Sequence, residues 1–443
     1  MDTEASDLQD KIHQQFDWHT CPWYPLEHSP KGDANALFIH NLVTPYYLRN
    51  QNVIDTTDKI ILDVECDNGY TSLILAEANP GATIVGIDLS EASIQTARER
   101  LKYHQFKNVE FHVLSIYDVQ TLGLTFDYIN CDETLYLLPN LHQALQVLKS
   151  VLKPEGIIRG NLHSLYTEAH TFRAQKLFKL MGLMDSNPEE TEIETALQTI
   201  QSLKDDVPLK ASTWSSKFEG KGRYSAALAS FLQQEDKGFT IPDLFAALRV
   251  ADLEFISMVN WRLWEPLDLF QDPENLPLFW AMNLPDLPDE LRLHVFELMC
   301  PVHRLLDFWC GHPNAAKSAT PVQQWQMSEW QKAKVHLHPQ LVTKSVWEDL
   351  VRSINDHSLF TISQHLSAPI MAPVTLNSFM ATCLLPLWEG PQPIQALVSR
   401  WLTVQPLDPI TLEPRIEVQA FEEIKSLLTY LETYLYVLLE LPA

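Results

Sequence analysis

The chain predicts an α/β fold, a doubly wound and mostly parallel sheet, carried by a domain that begins near Lys59. Two observations predict it. From Lys59 to Ser164, short β-rich runs alternate with helical stretches, the pattern of βαβ units and a parallel sheet. The first two runs each end in acidic residues just before a helix, where ligands of open α/β sheets sit.

The elements follow in order. Asp33 to Asn50 reads as helix, with Pro45 expected to break or kink it. KIILDV is the first strand, YTSLILAEANPG a helix ending at Pro80-Gly81, and TIVGID the second strand. LSEASIQTARERLKYHQ is a long helix, with Ser90 as N-cap and Glu91 in its first turn. NVEFHVL, FDYINC and GIIRGNLHS are further strands, the last two separated by the helix NLHQALQVLKSVL. Residues 166–238 read as an acidic helical insertion, after which FTIPDLFAALRVADLEFISM resumes the sheet with a helix and a strand. From about Glu265 the chain reads as mainly α-helical. It closes on AFEEIKSLLTYLETYLYVLLEL, where Ile424, Leu427, Leu428, Leu431, Leu435 and Leu438 keep helical spacing. This divides the chain into an N-terminal extension or lid (1–55), the sheet domain (56–265) and a helical C-terminal domain (266–443).

Composition narrows the function. With 57 acidic against 32 basic residues, the formal charge is -25, which repels phosphate backbones and anionic headgroups; neither a nucleic-acid nor a membrane partner is expected. The start lacks a signal-peptide pattern and no apolar run is long enough to span a bilayer. The 6 cysteines form no CxxC pair, which suits reduced thiols. A cytoplasmic protein is the expectation.

The chemistry concentrates at the first two strand ends. Asp63-Val64-Glu65-Cys66-Asp67-Asn68-Gly69 closes the first strand, and Gly86-Ile87-Asp88-Leu89-Ser90 the second. A carboxylate at the latter place can accept hydrogen bonds from two ribose hydroxyls.

These two runs, with FDYINCDETLYLLPNLHQALQVLKSVLKPEGII, resemble the motifs of class I S-adenosylmethionine (SAM)-dependent methyltransferases over roughly Ile60 to Leu162. The resemblance implies a Rossmann-like fold, SAM as cofactor and methyl transfer to an unidentified acceptor, a small molecule or a protein side chain. It places Asp63, Glu65, Cys66, Asp67 and Gly69 in the cofactor loop, Asp88 and Leu89 at the ribose, Ser115 and Ile116 at the adenine, and Asn130 toward the methionine end. Glu65 and Asp67 stand where the family has glycines, which motivates an alternative: a catalytically lapsed binding or regulatory protein on the same scaffold. A dinucleotide oxidoreductase is a third option, weakened by the missing GxGxxG.

The Trp23-Tyr24-Pro25 and His28-Ser29-Pro30 segment, the insertion and LLPLWEGPQPIQALVSRWL are similar to bacterial methyltransferases carrying a regulatory domain, some relatives of which methylate protein lysines. That implies a substrate-recruiting or regulatory C-terminal module.

Candidate catalytic groups are Asp132, Glu133, Tyr136 and His163. Asp132 and Glu133 serve equally as site carboxylates or helix caps. Tyr136 fits core packing better than chemistry, and His163 reads as a base or a structural histidine. Cys300, His303, Cys310 and His312 have zinc-like spacing, but MCPVHRLLDFWCGHP reads as an apolar helix ending at Gly311, and no metal is expected. His336-Leu-His338 alternates like an edge strand, and Gly220-Lys221-Gly222 reads as a turn. The final Leu-rich helix reads as core, with a homodimer contact as the minority reading. No GxSxG, HExxH or GxxxxGK[ST] run is present.

Overall fold

The computed structural model describes residues 24–220, 222–234, 236–315, 320–366 and 373–442. Cys21 and Trp23 of the aromatic segment, and Lys221 of the glycine turn, lie outside them.

Seven strands form the central sheet: β1 (Ile60–Val64), β2 (Thr83–Asp88), β3 (Val109–Val113), β4 (Phe126–Cys131), β5 (Leu152–His163), β6 (Glu254–Met258) and β7 (Leu305–Gly311). Their spatial order is β3-β2-β1-β4-β5-β7-β6. The first five run parallel, whereas β7 is antiparallel to both β5 and β6. Residues of β4 are buried throughout and those of β3 are half exposed, as expected of a central strand covered on both faces and an edge strand. The Rossmann-like expectation therefore holds, with β1 to β5 where the sequence placed them.

Helix starts follow local chemistry. Ser90 caps Glu91–Tyr103 by accepting from Ser93 N, and Asn140 caps Leu141–Ser150 by accepting from Gln143 N. Thr240 and Asp243 form a reciprocal capping box at Ile241–Ala251, whose Pro242 sits in the first turn. The insertion is helical, with helices Ala169–Leu180, Glu190–Ser202, Pro208–Thr213 and Arg223–Phe231 around a small core including Phe178, Ile193, Ile200, Phe218 and Phe231.

Four local expectations are corrected. MCPVHRLLDFWCGHP is not one helix: a helix ends at Met299 and Leu305–Gly311 enters the sheet between β5 and β6. Seven apolar-rich residues bury equally well as strand or helix, and the vacancy beside β5 decides. Of the described residues, one compact unit takes in 24–28, 58–73 and 82–313. A second unit takes 29–57, 74–81 and the described residues from 314 onward.

In that second unit the last helix spans Glu417–Thr433 and stops before Leu435, which adopts φ 58. Val437–Glu440 continues as a strand, so Leu435 and Leu438 lie outside the helix. Lys334–Leu337 runs between this strand and Gln392–Pro393, so the His336 segment is a central strand rather than an edge. Ile424, Leu428 and Leu431 are buried within the unit. The predicted helix over 33–50 is two helices, Ala34–Ile39 and Val43–Asn50, with Pro45 in the first turn of the second, where its missing N–H leaves no bond unmade. Among the described residues, no helix is long and apolar enough to cross a membrane.

Candidate functional site

Near the end of β1 lies Asp63, whose buried carboxylate accepts from Ser72 Oγ at 2.6 Å and from Asn130 Nδ2 at 2.9 Å. The chain then turns through three left-handed residues, Glu65 (φ 53), Asp67 (φ 44) and Gly69 (φ 76). A Cβ on Gly69 would lie 2.7 Å from Ala97 Cα, so that position admits glycine alone. At Glu65 and Asp67 the backbone keeps a glycine-like conformation despite its side chains, at about 1–2 kcal/mol for each left-handed residue.

β2 delivers Asp88 to the same end of the sheet. Its Oδ2 accepts from Asp67 N at 2.9 Å and its Oδ1 from Ser90 N at 2.8 Å. A carboxylate offers about four lone-pair positions. Arg100, buried, braces the loop from behind: it donates to Asn68 O at 3.0 Å, Pro25 O at 2.8 Å and Tyr24 O at 2.8 Å. Tyr24 in turn stacks on Tyr70 at 4.1 Å.

The electrostatics of the loop are acidic. Burial first, then Asp88, pushes the Glu65 carboxyl well above the ordinary carboxylate range. Burial and Asp88 likewise push Asp67 up to about 6, against the opposing pull of Ser93, Asn68 and Arg100. The Cys66 thiol is raised well above its usual value by burial and by Asp63, which keeps it an unreactive thiol. Such a loop suits a cationic ligand whose charge replaces what burial withholds. It also fits one that presents a diol to Asp88.

Leu89 remains partly exposed beside Asp88. Ser115 caps the short helix Ile116–Leu122 by accepting from Tyr117 N and is partly exposed. Ile116 is fully buried in the core. Asn130 is also fully buried and bridges Asp63 to Arg159, whose Nη1 donates to Asn130 Oδ1 at 3.1 Å.

The four catalytic candidates separate into two groups. Asp132 belongs to a buried network: its Oδ1 accepts from Arg159 Nη2 at 3.0 Å and from Asn161 Nδ2 at 2.7 Å. Arg159 also binds Asp307 with two bonds, Nε to Oδ1 at 3.0 Å and Nη2 to Oδ2 at 2.8 Å. Burial works to lower the Arg159 guanidinium, but Asp132 and Asp307 outweigh it and hold it above its ordinary value. Glu133, Tyr136 and His163 form the second group. Tyr136 donates to Glu133 Oε2 at 2.6 Å and stacks on His163 at 3.8 Å. Glu133 is a further left-handed acid, φ 52, its N–H bound to Asn161 Oδ1 at 2.9 Å. The helix-cap reading of Asp132 and Glu133 does not hold, because the next α-helix is capped by Asn140.

Sequence reasoning missed Arg159, Asn161, Asp236, Arg304 and Asp307. A signal existed for two of them: Arg159 in GIIRGN and Asp307 in LLDFW are charges inside apolar strand runs, which bury safely only when paired. The zinc-spaced residues have other partners. His303 faces Leu263 O at 3.1 Å and stacks on Trp264, His312 faces Leu152 O at 3.2 Å, and Cys310 is buried in β7. Among the described residues, no group of three or more His, Cys, Asp or Glu is placed to hold a metal.

Comparison with known proteins adds three findings. A family model described as "Methyltransferase domain" matches residues 55–218. An uncharacterised protein of Synechococcus is 34% identical over 122 residues, which cover 27% of this chain and 29% of that protein. Ubiquinone biosynthesis O-methyltransferase from Pasteurella multocida is 30% identical over 138 residues, covering 29% of this chain and 56% of the enzyme. The chain thus spans about half or less of the length of these curated relatives. Among solved structures, PKMT2 from Rickettsia typhi superimposes with a TM-score of 0.58 at 16% identity, covering 94% of this chain and 76% of that one. The same protein is also known in complex with AdoHcy. At that identity the likeness establishes a shared fold.

Proposed function

We propose that this chain, which has the class I SAM-dependent methyltransferase fold and matches the methyltransferase domain model over residues 55–218, binds S-adenosylmethionine and transfers its methyl group to an acceptor in the cytoplasm. The observation that carries the reading is the pairing of Asp88 with the left-handed loop of Glu65, Asp67 and Gly69. The loop keeps the glycine-type path for close approach of main chain to cofactor, and Asp88 stands at the end of the second strand, hydrogen-bonded to that loop, where a carboxylate can accept from a ribose diol.

Asp88 would hold the ribose, while Glu65 and Asp67 would face the cationic part of the cofactor. When bound, the cofactor supplies an electrophilic methyl group on a sulfonium. The protein's remaining task is to align the acceptor and take its proton where it carries one. The second compact unit, residues 29–57, 74–81 and 314–443, supplies the recruiting or regulatory function in this reading.

Glu65 and Asp67 also motivate the second reading, a scaffold that has given up catalysis. Calorimetric titration with SAM and S-adenosylhomocysteine separates the two. Micromolar binding that is lost in Asp88→Ala supports the enzyme, whereas heat of binding absent for both ligands leaves the scaffold.

A further inference from the structure

Past the ends of β4 and β5, residues distant in sequence meet around His163. The imidazole is buried, its side chain 8% exposed, and its Nδ1 lies 3.0 Å and 3.1 Å from the two oxygens of Asp236, itself 1% exposed. Gln175 Nε2 donates to the same carboxylate at 3.2 Å. Backbone bonds set the frame: Phe239 N donates to His163 O and Ser164 N to Arg304 O, both at 2.8 Å. On the other side of the ring, Arg304 Nη1 lies 3.0 Å from His163 Nε2, and Arg304 is ion-paired with Glu133. Glu168 adds a further carboxylate near Arg304. Tyr136 covers one face of the ring, and burial, then Glu133, raises its phenol well above the ordinary range, so it stays a donor.

The bonding determines the tautomer. A guanidinium only donates, so Nε2 must be an acceptor, and the single proton of a neutral imidazole then sits on Nδ1, donated to Asp236. The ring is thereby held as a base whose lone pair points toward the surface, where the side chains of Arg304 and Glu133 are 50% and 41% exposed. Asp132 is no rival, because Arg159 and Asn161 already occupy it.

We infer that His163 accepts the proton of the methyl acceptor at Nε2, that Asp236 is its positioning residue, and that the Arg304–Glu133 pair is a latch over Nε2 which the acceptor displaces. The inference rests on the methyl-transfer reading and assigns the acceptor's chemistry: a hydroxyl or an ammonium, which must shed a proton. A hydroxyl gives its proton to His163 Nε2 as its oxygen lone pair forms the bond to the methyl carbon, whereas an ammonium gives its proton to Nε2 first and attacks as the free amine; in both, the sulfonium sulfur keeps the pair of the bond that breaks, and the proton ends on His163. Asp236 stabilises the imidazolium that results.

The test is nitrogen NMR of the full chain labelled in histidine, without cofactor, the His163 signal being assigned by its loss in His163→Gln or, should that variant not fold, by its shift in Arg304→Ala. An Nδ1–H tautomer at neutral pH is expected; an Nε2–H tautomer overturns the inference whether or not SAM binds. Calorimetry with SAM reports separately on the methyl-transfer reading. The second arm is transfer of label from radioactive SAM into a cell extract. His163→Gln is expected to lose about a hundredfold and Asp236→Ala about tenfold, both with unchanged SAM affinity. Transfer by His163→Gln at the wild-type rate overturns the assignment.

Discussion

Replacing both Glu65 and Asp67 by glycine is expected to stabilise the protein. Each now holds a positive φ, 53 and 44, which costs about 1–2 kcal/mol for an L-residue. Glycine removes that strain and forfeits about 0.5–1 kcal/mol through the freer unfolded chain, a net gain of about 0–1.5 kcal/mol per site. The bond from Asp67 N to Asp88 is main-chain on the donor side and survives. What is lost is two long side-chain bonds to Asp67, from Ser93 Oγ at 3.2 Å and Asn68 Nδ2 at 3.3 Å, together worth about 1 kcal/mol at most. Against that, deleting Glu65 removes a carboxyl whose charged form burial and Asp88 disfavour. The balance is a double variant more stable by roughly 1 kcal/mol. Urea denaturation of the full chain reads this as a raised midpoint at unchanged slope. A lowered midpoint refutes the strain argument, because the two acids would then make contacts worth more than the backbone conformation costs.

Three other outcomes are expected. Asp67, raised from 3.8 to about 6, binds its proton more tightly in the folded state, so its contribution to stability is favourable below that window and is lost as pH rises through it. Asp67→Asn should therefore gain on the wild type as pH rises from 3.8 to about 6, measured by urea midpoints, and a pH-independent difference would contradict the shift. Arg159→Met leaves Asp307 and Asp132 without their cation in a site where the arginine is 4% exposed, and should cost about 3–5 kcal/mol in the same assay. A loss below about 1 kcal/mol would show that the network relaxes into solvent. Asp88→Ala should abolish SAM binding, as read by calorimetry.

The legible part of this protein was the part written in short-range signals. Alternation of β-rich and helical stretches located β1 to β5, and the cap at Ser90 acts within three residues of itself. The loop from Asp63 to Gly69 and the acid at Asp88 were readable because each is a strand end followed at once by a helix. The left-handed backbone at Glu65 and Asp67 was foreseeable only through the resemblance, since neither residue type requires it.

Tertiary structure decided the rest. The β7 segment carries a short apolar run that helix and strand bury equally well; the open edge of β5 made it a strand. Arg159 and Asp307 are neighbours only because their strands pair, 148 positions apart in the chain. His163, Asp236 and Arg304 are likewise gathered from β5, the end of the helical insertion and the approach to β7. By itself the sequence determined which local elements form, since hydrogen bonds and periodicity act over a few residues. Which charges meet was set by sheet order, because a buried charge is tolerated only beside the partner that folding brings to it.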